Sequence, residues 1–409
     1  MTSALFFVLG LLEMSKVIPG YGGAITGPEL SLAIVVVASA LLAFLKSKSG
    51  IRVPKLTYIG AAGGLLLLFS VWHAFSPIFS NRDFVYSVSL TAVLAAGYMK
   101  RFALSNSLEG IDLRAVCFAY ALGVAVGVAL PYLLGTIGLV VAGPMFMFAG
   151  RYQAFLEHPN QVGIASTFVV VLAMTLRLNL LKRMALLAPS LMALFLCGSK
   201  FNIALSLFVL AAGSAFMLTP GRMWMKSVGA AIGVVVALSL SPLILRGVVD
   251  VLMQINPREA NRLAQFVIAP DRSESATERF FIWGEGVRGA LENLPLGVGL
   301  DDAPTYLKGL NHAHNLFIHY GLVWGIGGLI FCIALVIFCA SRLVDLAREN
   351  RSTSSADLLL AASAAAMSLI LTSLSSDSLS VSVMPLILTM ISMILVRGQN
   401  VRSEAPCPR

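Results

Sequence analysis

Charged residues are scarce in this sequence, which excludes an ordinary soluble domain. Asp, Glu, Lys and Arg make up 12% of the 409 residues, whereas 58% are hydrophobic. A typical soluble domain carries about twice that fraction of charge. Several apolar runs approach or exceed the roughly 18–20 residues that cross a bilayer as a helix. The composition therefore predicts an all-α, polytopic membrane protein.

Cysteine and histidine are also rare, with five residues of each. The cysteines lack the paired spacings that bind zinc or form a disulfide framework. Asp301 and Asp302 are adjacent acids without further oxygen ligands at a regular spacing, which is weak support for a metal site. We therefore expect neither a metal nor another cofactor.

The net charge of +9 does not point to a nucleic-acid partner. Most Lys and Arg residues cluster at the ends of apolar runs, as membrane proteins place them to set their orientation. Membrane lipids are the partner that this distribution predicts, and nucleic acid is not.

The apolar runs predict about twelve transmembrane spans with both termini in the cytoplasm. This layout puts 18 of the 29 Lys and Arg residues on the cytoplasmic side, as the positive-inside rule requires. We predict one transmembrane domain over 1–409, with 246–311 as a large outer loop inserted in it. The predicted spans are 3–18, 29–45, 56–74, 84–99, 114–137, 161–180, 184–198, 201–218, 227–245, 315–340, 357–375 and 380–396.

The long loop contains an amphipathic pattern that predicts a helix. Residues 275–278 have the spacing of a helix-capping box, and the Pro and Gly residues in 293–299 would end the helix. Apolar side chains recur at helical spacing between them, so we expect this helix to lie at the membrane interface on its apolar face. Those side chains are Phe280, Trp283, Val287 and Leu291.

Three of the five histidines, His312, His314 and His319, lie within ten residues directly before a long apolar run. The cluster therefore marks a predicted boundary between water and membrane. An imidazole that is wetted there and held by a helix could transfer protons near neutral pH. The alternative interpretation is that interfacial histidines simply tolerate a half-wet position.

Arg151, Lys200 and Arg279 fall on the predicted outer face, where the topological rule disfavours cations. Such a group would suit an anionic substrate such as a lipid-linked diphosphate. A single boundary arginine more often extends to lipid phosphates, but three cations on one face beside the histidines favour a site. Asn160 and Asn315 begin apolar spans, where they could cap helices or contact substrate.

Three motifs carry a resemblance to a known family. His314-Asn315 is followed by nine residues and then by Gly325 and Gly328, and Arg279-Phe280-Phe281-Ile282-Trp283 precedes the glycine-rich stretch 293–299. Gly150-Arg151-Tyr152 and His158-Pro159-Asn160 form the third. Together these motifs resemble the bacterial O-antigen ligase and O-antigen polymerase superfamily.

The resemblance implies a GT-C-like fold in the bacterial inner membrane, with a periplasmic active site and no metal. The implied reaction transfers a glycan from an undecaprenyl-diphosphate-linked donor to a sugar hydroxyl of a glycan or lipid A-core acceptor, for lipopolysaccharide or exopolysaccharide synthesis. Other polysaccharide-export proteins are further candidate partners. The implied residues are His314 and Arg279 as catalytic; Lys200, Arg151, Asn160, Asn315, Trp283 and His312 as substrate-binding; and Gly325 and Gly328 as structural, allowing a neighbouring helix to approach.

The chain departs from the family pattern at Lys200 and, slightly, in the order of residues 293–296, which read Asn-Leu-Pro-Leu instead of the usual Asn-Pro-Leu, and several functions stay open. Family members usually carry arginine where this chain has Lys200. Lysine keeps the positive charge but cannot form bidentate hydrogen bonds to phosphate. A polymerase uses the same donor as a ligase and differs in its acceptor. A twelve-span transporter or flippase is a more distant alternative, and a structural scaffold or channel subunit would leave the histidine motif unexplained.

Overall fold

A computed structural model of the chain describes three main parts: residues 2–13, 113–136 and most of 147–348. Predicted spans two, three, four and twelve, and also His312, lie outside the described residues, and only isolated positions of span eleven are described. The described ranges are 2–13, 113–136, 147–148, 151–154, 156, 159–219, 223–255, 257, 260–261, 264, 274–299, 302–310, 313–348, 361, 364, 368 and 371–372.

The described chain is mostly helical, as expected for an all-α membrane protein. Four stretches are long and apolar enough to cross a membrane: Arg114–Thr136, Leu180–Cys197, Lys200–Leu218 and Leu316–Ala334. The elements in chain order are α1 (Thr2–Glu13), α2 (Leu113–Thr136), β1 (Met147–Phe148), β2 (Arg151–Tyr152), α3 (Pro159–Thr175), α4 (Leu180–Cys197), α5 (Lys200–Leu218), α6 (Met223–Ile255), α7 (Glu274–Glu292), α8 (Ala303–Tyr306) and α9 (Leu316–Arg348).

The chain divides into two compact units, of which the first comprises 1–28, 112–277 and 344–369. In it α3 contacts α2, α4 and α5, while α1 packs on α2 and α6 on α5. Residues 161–174 of α3 are all buried. A helix that is apolar and buried on every side forms the core of its bundle, so α3 is the axis of this unit.

The strands β1 and β2 form a short antiparallel hairpin that anchors the chain before α3. The buried Tyr152 hydroxyl donates to the Val128 carbonyl at 2.6 Å and accepts from the Tyr132 N–H at 3.3 Å. It therefore bridges the Tyr132 N–H and the Val128 carbonyl of α2, directly after Pro131, which itself lacks an N–H to donate. Burial raises the pKa of Tyr152 well above its usual range, so the hydroxyl keeps the proton that it donates.

The turn between α4 and α5 falls at residues 198–200, where predicted span seven ends and predicted span eight begins. Gly198 ends α4 in the left-handed conformation, with φ 59°, and its N–H donates to the Phe195 carbonyl. Glycine is the usual residue at this position because it has no Cβ to clash. Ser199 follows as the N-cap, and Lys200 begins α5.

The second unit comprises 29–111, 278–343 and 370–409, and its described core is a sharp break in α9. Trp324 and Gly325 have non-helical backbone angles, and Gly325 has φ 56°. A Cβ on Gly328 would collide with the Tyr320 carbonyl, and one on Gly321 would meet Leu329 at 3.1 Å. Eight residues of straight helix span about 12 Å, so these contacts show that α9 folds back on itself as two arms.

A glycine-rich loop fills the break in α9. The Ile326 N–H donates to the Pro295 carbonyl at 2.9 Å instead of to Leu322, its partner in a continuous helix. The freed carbonyls of Leu322 and Val323 accept from the N–H groups of Val298 and Gly299, at 2.8 and 2.9 Å. The backbone groups exposed by the break are thus satisfied by the loop.

Several predicted boundaries differ from the structure. Helix α3 ends at Thr175 and α4 begins at Leu180, whereas the predicted spans six and seven are 161–180 and 184–198. Predicted span nine, 227–245, lies in α6, which continues as helix to Ile255 and so takes up the first ten residues of the predicted outer loop. The loop helix α7 begins at Glu274, one residue before the predicted capping box, and ends at Glu292 as expected. Predicted span ten, 315–340, contains the break at Gly325, so it is not one straight helix.

Candidate functional site

The first unit brings Arg151 and Asn160 together beside the α4–α5 turn. Arg151 Nε donates to the Cys197 carbonyl at 2.8 Å, and its Nη2 donates to Asn160 Oδ1 at 3.0 Å. Lys200 begins α5 three residues after Cys197, and all three predicted side chains are half-buried. Arg151 thus joins β2, the start of α3 and the end of α4, and we name Arg151, Asn160 and Lys200 the turn cluster.

A buried polar network that was not predicted from the sequence lies next to the turn cluster. Thr167 of α3 contacts Ser206 Oγ at 3.0 Å and Asn202 Oδ1 at 3.3 Å, and Asn202 Nδ2 donates to Ser199 Oγ at 2.8 Å. All four residues are buried. The sequence does contain a signal for this network, because the polar residues Ser199, Asn202 and Ser206 recur at helical spacing within an apolar run. The network fixes α5 against α3 and thereby fixes the backbone that carries Lys200.

The close approach of α3 and α5 at this network depends on Gly163. A Cβ at Gly163 would lie 2.8 Å from the Ser199 Cβ and 2.9 Å from Asn202 Nδ2. These distances are shorter than any normal contact, so a larger residue would push the two helices apart.

The second unit holds Arg279, Trp283, His314 and Asn315, and helix α7 presents the first two. Ile282, Gly286 and Gly289 form one face of α7, where a Cβ on Gly286 would meet Ile318 of α9 at 2.7 Å. A second face exposes Phe280, Val287 and Leu291. A third face is charged, and Arg288 there pairs with Glu292 at 2.9 Å and with Glu285 at 4.0 Å.

Arg279 and Trp283 lie one helical turn apart, between the packed face and the exposed apolar face of α7. Both side chains are half-buried. Trp283 therefore lies at the edge of the exposed apolar face, to which its helical spacing alone would assign it. Its ring meets that of Phe280 edge to face, with centroids 5.5 Å apart.

Trp283 connects α7 to the segment that carries His314. Its Nε1–H donates to the carbonyl of Ala313 at 2.9 Å, and Ala313 is fully buried. His314 then turns the chain in a left-handed conformation, with φ 53°, which few residues other than glycine adopt. We name Ala313, His314 and Asn315 the histidine turn.

Asn315 caps α9, which confirms one of its two predicted roles. Its Oδ1 accepts from the N–H groups of Phe317 and Ile318, at 3.0 and 3.3 Å. Its carbonyl accepts from His319 N–H at 2.9 Å. His314 is thus fixed on one side by the cap and on the other by the bond from Trp283.

The two described histidines of the predicted cluster occupy different environments. His314 is half-buried, whereas His319 is 0% exposed and its ring lies 6.0 Å from that of Tyr320. The backbone of His314 lies outside any helix, and that of His319 lies within the short first arm of α9. Of these two histidines, only His314 has solvent exposure. Exposure and the family spacing therefore select the same histidine.

Gly325 and Gly328 allow close approach, but their partners differ from the expectation of a neighbouring helix. A Cβ on Gly325 would collide with the backbone of Pro295 and Leu296, and one on Gly328 with Tyr320 of the first arm. The two glycines therefore maintain the break in α9. His314 lies on the short arm before this break rather than at the start of a straight spanning helix.

The comparison with protein families gives a match within this part of the chain. Residues 184–333 match the family model described as O-Antigen ligase. The matched segment contains Lys200 and Arg279, the histidine turn and the broken first part of α9, whereas Arg151 and Asn160 precede it. No curated protein matches the chain significantly. The match of residues 184–333 to the O-antigen ligase family model confirms the resemblance to the O-antigen ligase and polymerase superfamily.

Proposed function

We propose that the protein is an O-antigen ligase-like glycosyltransferase of the bacterial inner membrane. It transfers a glycan from an undecaprenyl-diphosphate-linked donor to a sugar hydroxyl at the periplasmic face. The observation that carries this proposal is the histidine turn, in which His314 is half-buried and fixed between a helix cap and a tryptophan bond. The turn lies within the segment that matches the O-antigen ligase family.

His314 is the proposed base of the reaction. The acceptor hydroxyl oxygen forms a bond to the anomeric carbon of the donor sugar, and its proton passes to the imidazole. The bond between the anomeric carbon and the phosphate oxygen breaks at the same time, and its electron pair leaves with undecaprenyl diphosphate. A positioned base of this kind accelerates transfer by about 10²–10⁴-fold, and an imidazole is suited to the task near neutral pH.

Arg279 is the proposed partner of the leaving diphosphate. It lies one turn before Trp283 on α7, and Trp283 is bonded to the histidine turn. A guanidinium donates two parallel hydrogen bonds to phosphate oxygens. Charge that develops on the diphosphate is then neutralised by cationic side chains, so the mechanism requires no metal.

Lys200 and Arg151 have different proposed roles. Lys200 is the second proposed cation for the diphosphate, at a position where family members usually carry arginine. Arg151 donates to Cys197 and to Asn160, so its proposed role is to hold the α4–α5 turn that carries Lys200. Asn160 acts with Arg151 in this role, because its side-chain oxygen accepts the bond from Arg151.

Purified protein with a lipid-linked donor and an acceptor glycan tests this function directly. We expect His314→Ala to abolish transfer while protein yield is unchanged, and activity to survive a chelator. His312→Ala and His319→Ala serve as matched controls and retain much more transfer per folded molecule. Full activity of His314→Ala would refute the proposed base, and loss of wild-type activity in chelator would refute the metal-independent mechanism.

Deletion of the gene separates the ligase from the polymerase. Loss of a ligase leaves free lipid-linked polymer that is not joined to its acceptor. Loss of a polymerase leaves surface chains of a single repeat unit. Transport of an unchanged lipid-linked glycan by the purified protein, without any covalent product, would instead support the transporter.

A further inference from the structure

The bond between Trp283 and Ala313 suggests a role for Trp283 that differs from the substrate contact predicted from the sequence. The indole N–H is its only hydrogen-bond donor, and the structure directs this donor to a backbone carbonyl at 2.9 Å. The accepting residue directly precedes His314 in the chain. The contact therefore acts on the backbone of the proposed base.

The histidine turn needs such support because its conformation is unfavourable. His314 has φ 53°, a left-handed conformation in which the Cβ comes too close to the following carbonyl oxygen. Asn315 fixes the residues after the turn through two hydrogen bonds to α9. Among the contacts described here, the Trp283 bond is the one that fixes the carbonyl before it.

The packing of α7 makes Trp283 a stable anchor for this bond. Gly286 allows α7 to lie directly against Ile318 of the first arm of α9, and Gly289 allows it to lie against Tyr306 of α8 and Leu322 of that arm. Ile282, next to Trp283, is buried with an exposed fraction of 3%. The indole is therefore attached to a helix that is itself packed against the arm that follows the histidine turn.

We propose that Trp283 is a positioning residue, whose indole N–H sets the orientation of His314 through the Ala313 carbonyl. This inference rests on the proposed function, because it assigns His314 as the base. Arg279, the proposed ligand of the diphosphate, lies one turn earlier on the same side of α7. The bond from Trp283 therefore also fixes the position of Arg279 relative to the histidine turn. Small displacements of a reacting group can cost about 10²-fold in rate.

Trp283→Phe tests the proposal, because phenylalanine keeps an aromatic ring and removes the N–H. We expect kcat to fall by about tenfold, as loss of one hydrogen bond with partial displacement of the base implies, while KM for donor and acceptor stays within about twofold. Incorporation of 3-benzothienylalanine at position 283 is the second variant, since it retains the bicyclic shape and replaces only the N–H by sulfur. Leu291→Ala, on the exposed face of the same helix, is the matched control and keeps wild-type kcat.

The outcomes separate this inference from the proposed function. A raised KM with unchanged kcat would overturn it and make Trp283 a substrate contact. A wild-type kcat for both 283 variants would also overturn it, as would a loss of kcat that follows the loss of folded protein. Activity of His314→Ala equal to wild type would instead refute the proposed base, whatever the 283 variants do.

Discussion

Gly297 and Gly325 pack backbone against backbone, and neither position has room for a side chain. A Cβ on Gly297 would lie 2.5 Å from the Gly325 nitrogen, and one on Gly325 would collide with Pro295 and Leu296. Both glycines also have positive φ, 80° and 56°. The loop that follows α7 and the break within α9 therefore form one interlocked structure, and the histidine turn precedes that structure on the shorter arm.

This interlock predicts that Gly325→Ala and Gly297→Ala strongly destabilise the protein. The left-handed conformation alone costs alanine about 1–2 kcal/mol, and the backbone collision adds to that cost. Thermal unfolding in detergent should show a lower midpoint for both variants, together with less folded protein. Gly284→Ala is the matched control, because its Cβ would meet nothing within 4 Å. Stability of Gly325→Ala equal to that of Gly284→Ala would contradict the interlock.

Arg279 should be essential for transfer. Removal of one charged donor to a developing negative charge costs about 10²-fold or more in kcat, so we expect Arg279→Ala to be inactive in practice. Arg279→Lys should keep little activity because lysine cannot form the paired bonds. Arg288→Ala is the control on the same helix, since Arg288 is exposed and pairs only with Glu285 and Glu292 among the contacts described. Normal turnover by well-folded Arg279→Ala protein would exclude the proposed role.

Lys200 should tolerate arginine but not alanine. Arginine retains the charge and restores the residue that the family usually has, so Lys200→Arg should stay within about threefold of wild-type kcat. Lys200→Ala should lose about tenfold or more, because a cation at the diphosphate is missing. Lys182→Ala, near the other end of α4, controls for the loss of a lysine. If the alanine and arginine variants at 200 behaved alike, the charge at this position would have no role.

Local features of the structure could be predicted from sequence. The α4–α5 turn carries its own signal in Gly198 and Ser199, and α7 shows helical spacing of apolar residues that ends at a run of Pro and Gly. Both depend on interactions within a few residues of the chain. The cap formed by Asn315 is equally local, since its partners are the next two N–H groups that it can reach.

Features that depend on distant partners could not be predicted in this way. Gly325 lies in an apolar run with several other glycines, a pattern that also suits a straight packed transmembrane helix. The carbonyl that takes the Ile326 N–H belongs to Pro295, which is thirty-one positions earlier in the chain. The bond from Trp283 to Ala313 is likewise non-local, so apolar spacing alone did not show that Trp283 lies at the edge of the exposed apolar face of α7.

The orientation of the protein gives a final prediction, that the connection between α6 and α7 lies on the periplasmic side of the membrane. Helix α6 has 33 residues, and a helix of that length extends about 50 Å, compared with about 30 Å for the hydrocarbon core. The helix is therefore long enough for its end at Ile255 to lie outside the hydrocarbon core of the bilayer. The positive-inside pattern assigns that end to the outer side, because the basic residues Arg222 and Lys226 lie at its start.

A reporter that is active only in the periplasm should give a signal when it is inserted at 265, between α6 and α7. The same reporter inserted at 221, before α6, should be silent, and a cytoplasmic reporter should give the reverse pattern at the two positions. The pair forms a matched control because a single helix separates the insertions. A cytoplasmic signal at 265 would place α7 and the histidine turn on the wrong side for a periplasmic donor, and the proposed transfer at that face would then be refuted.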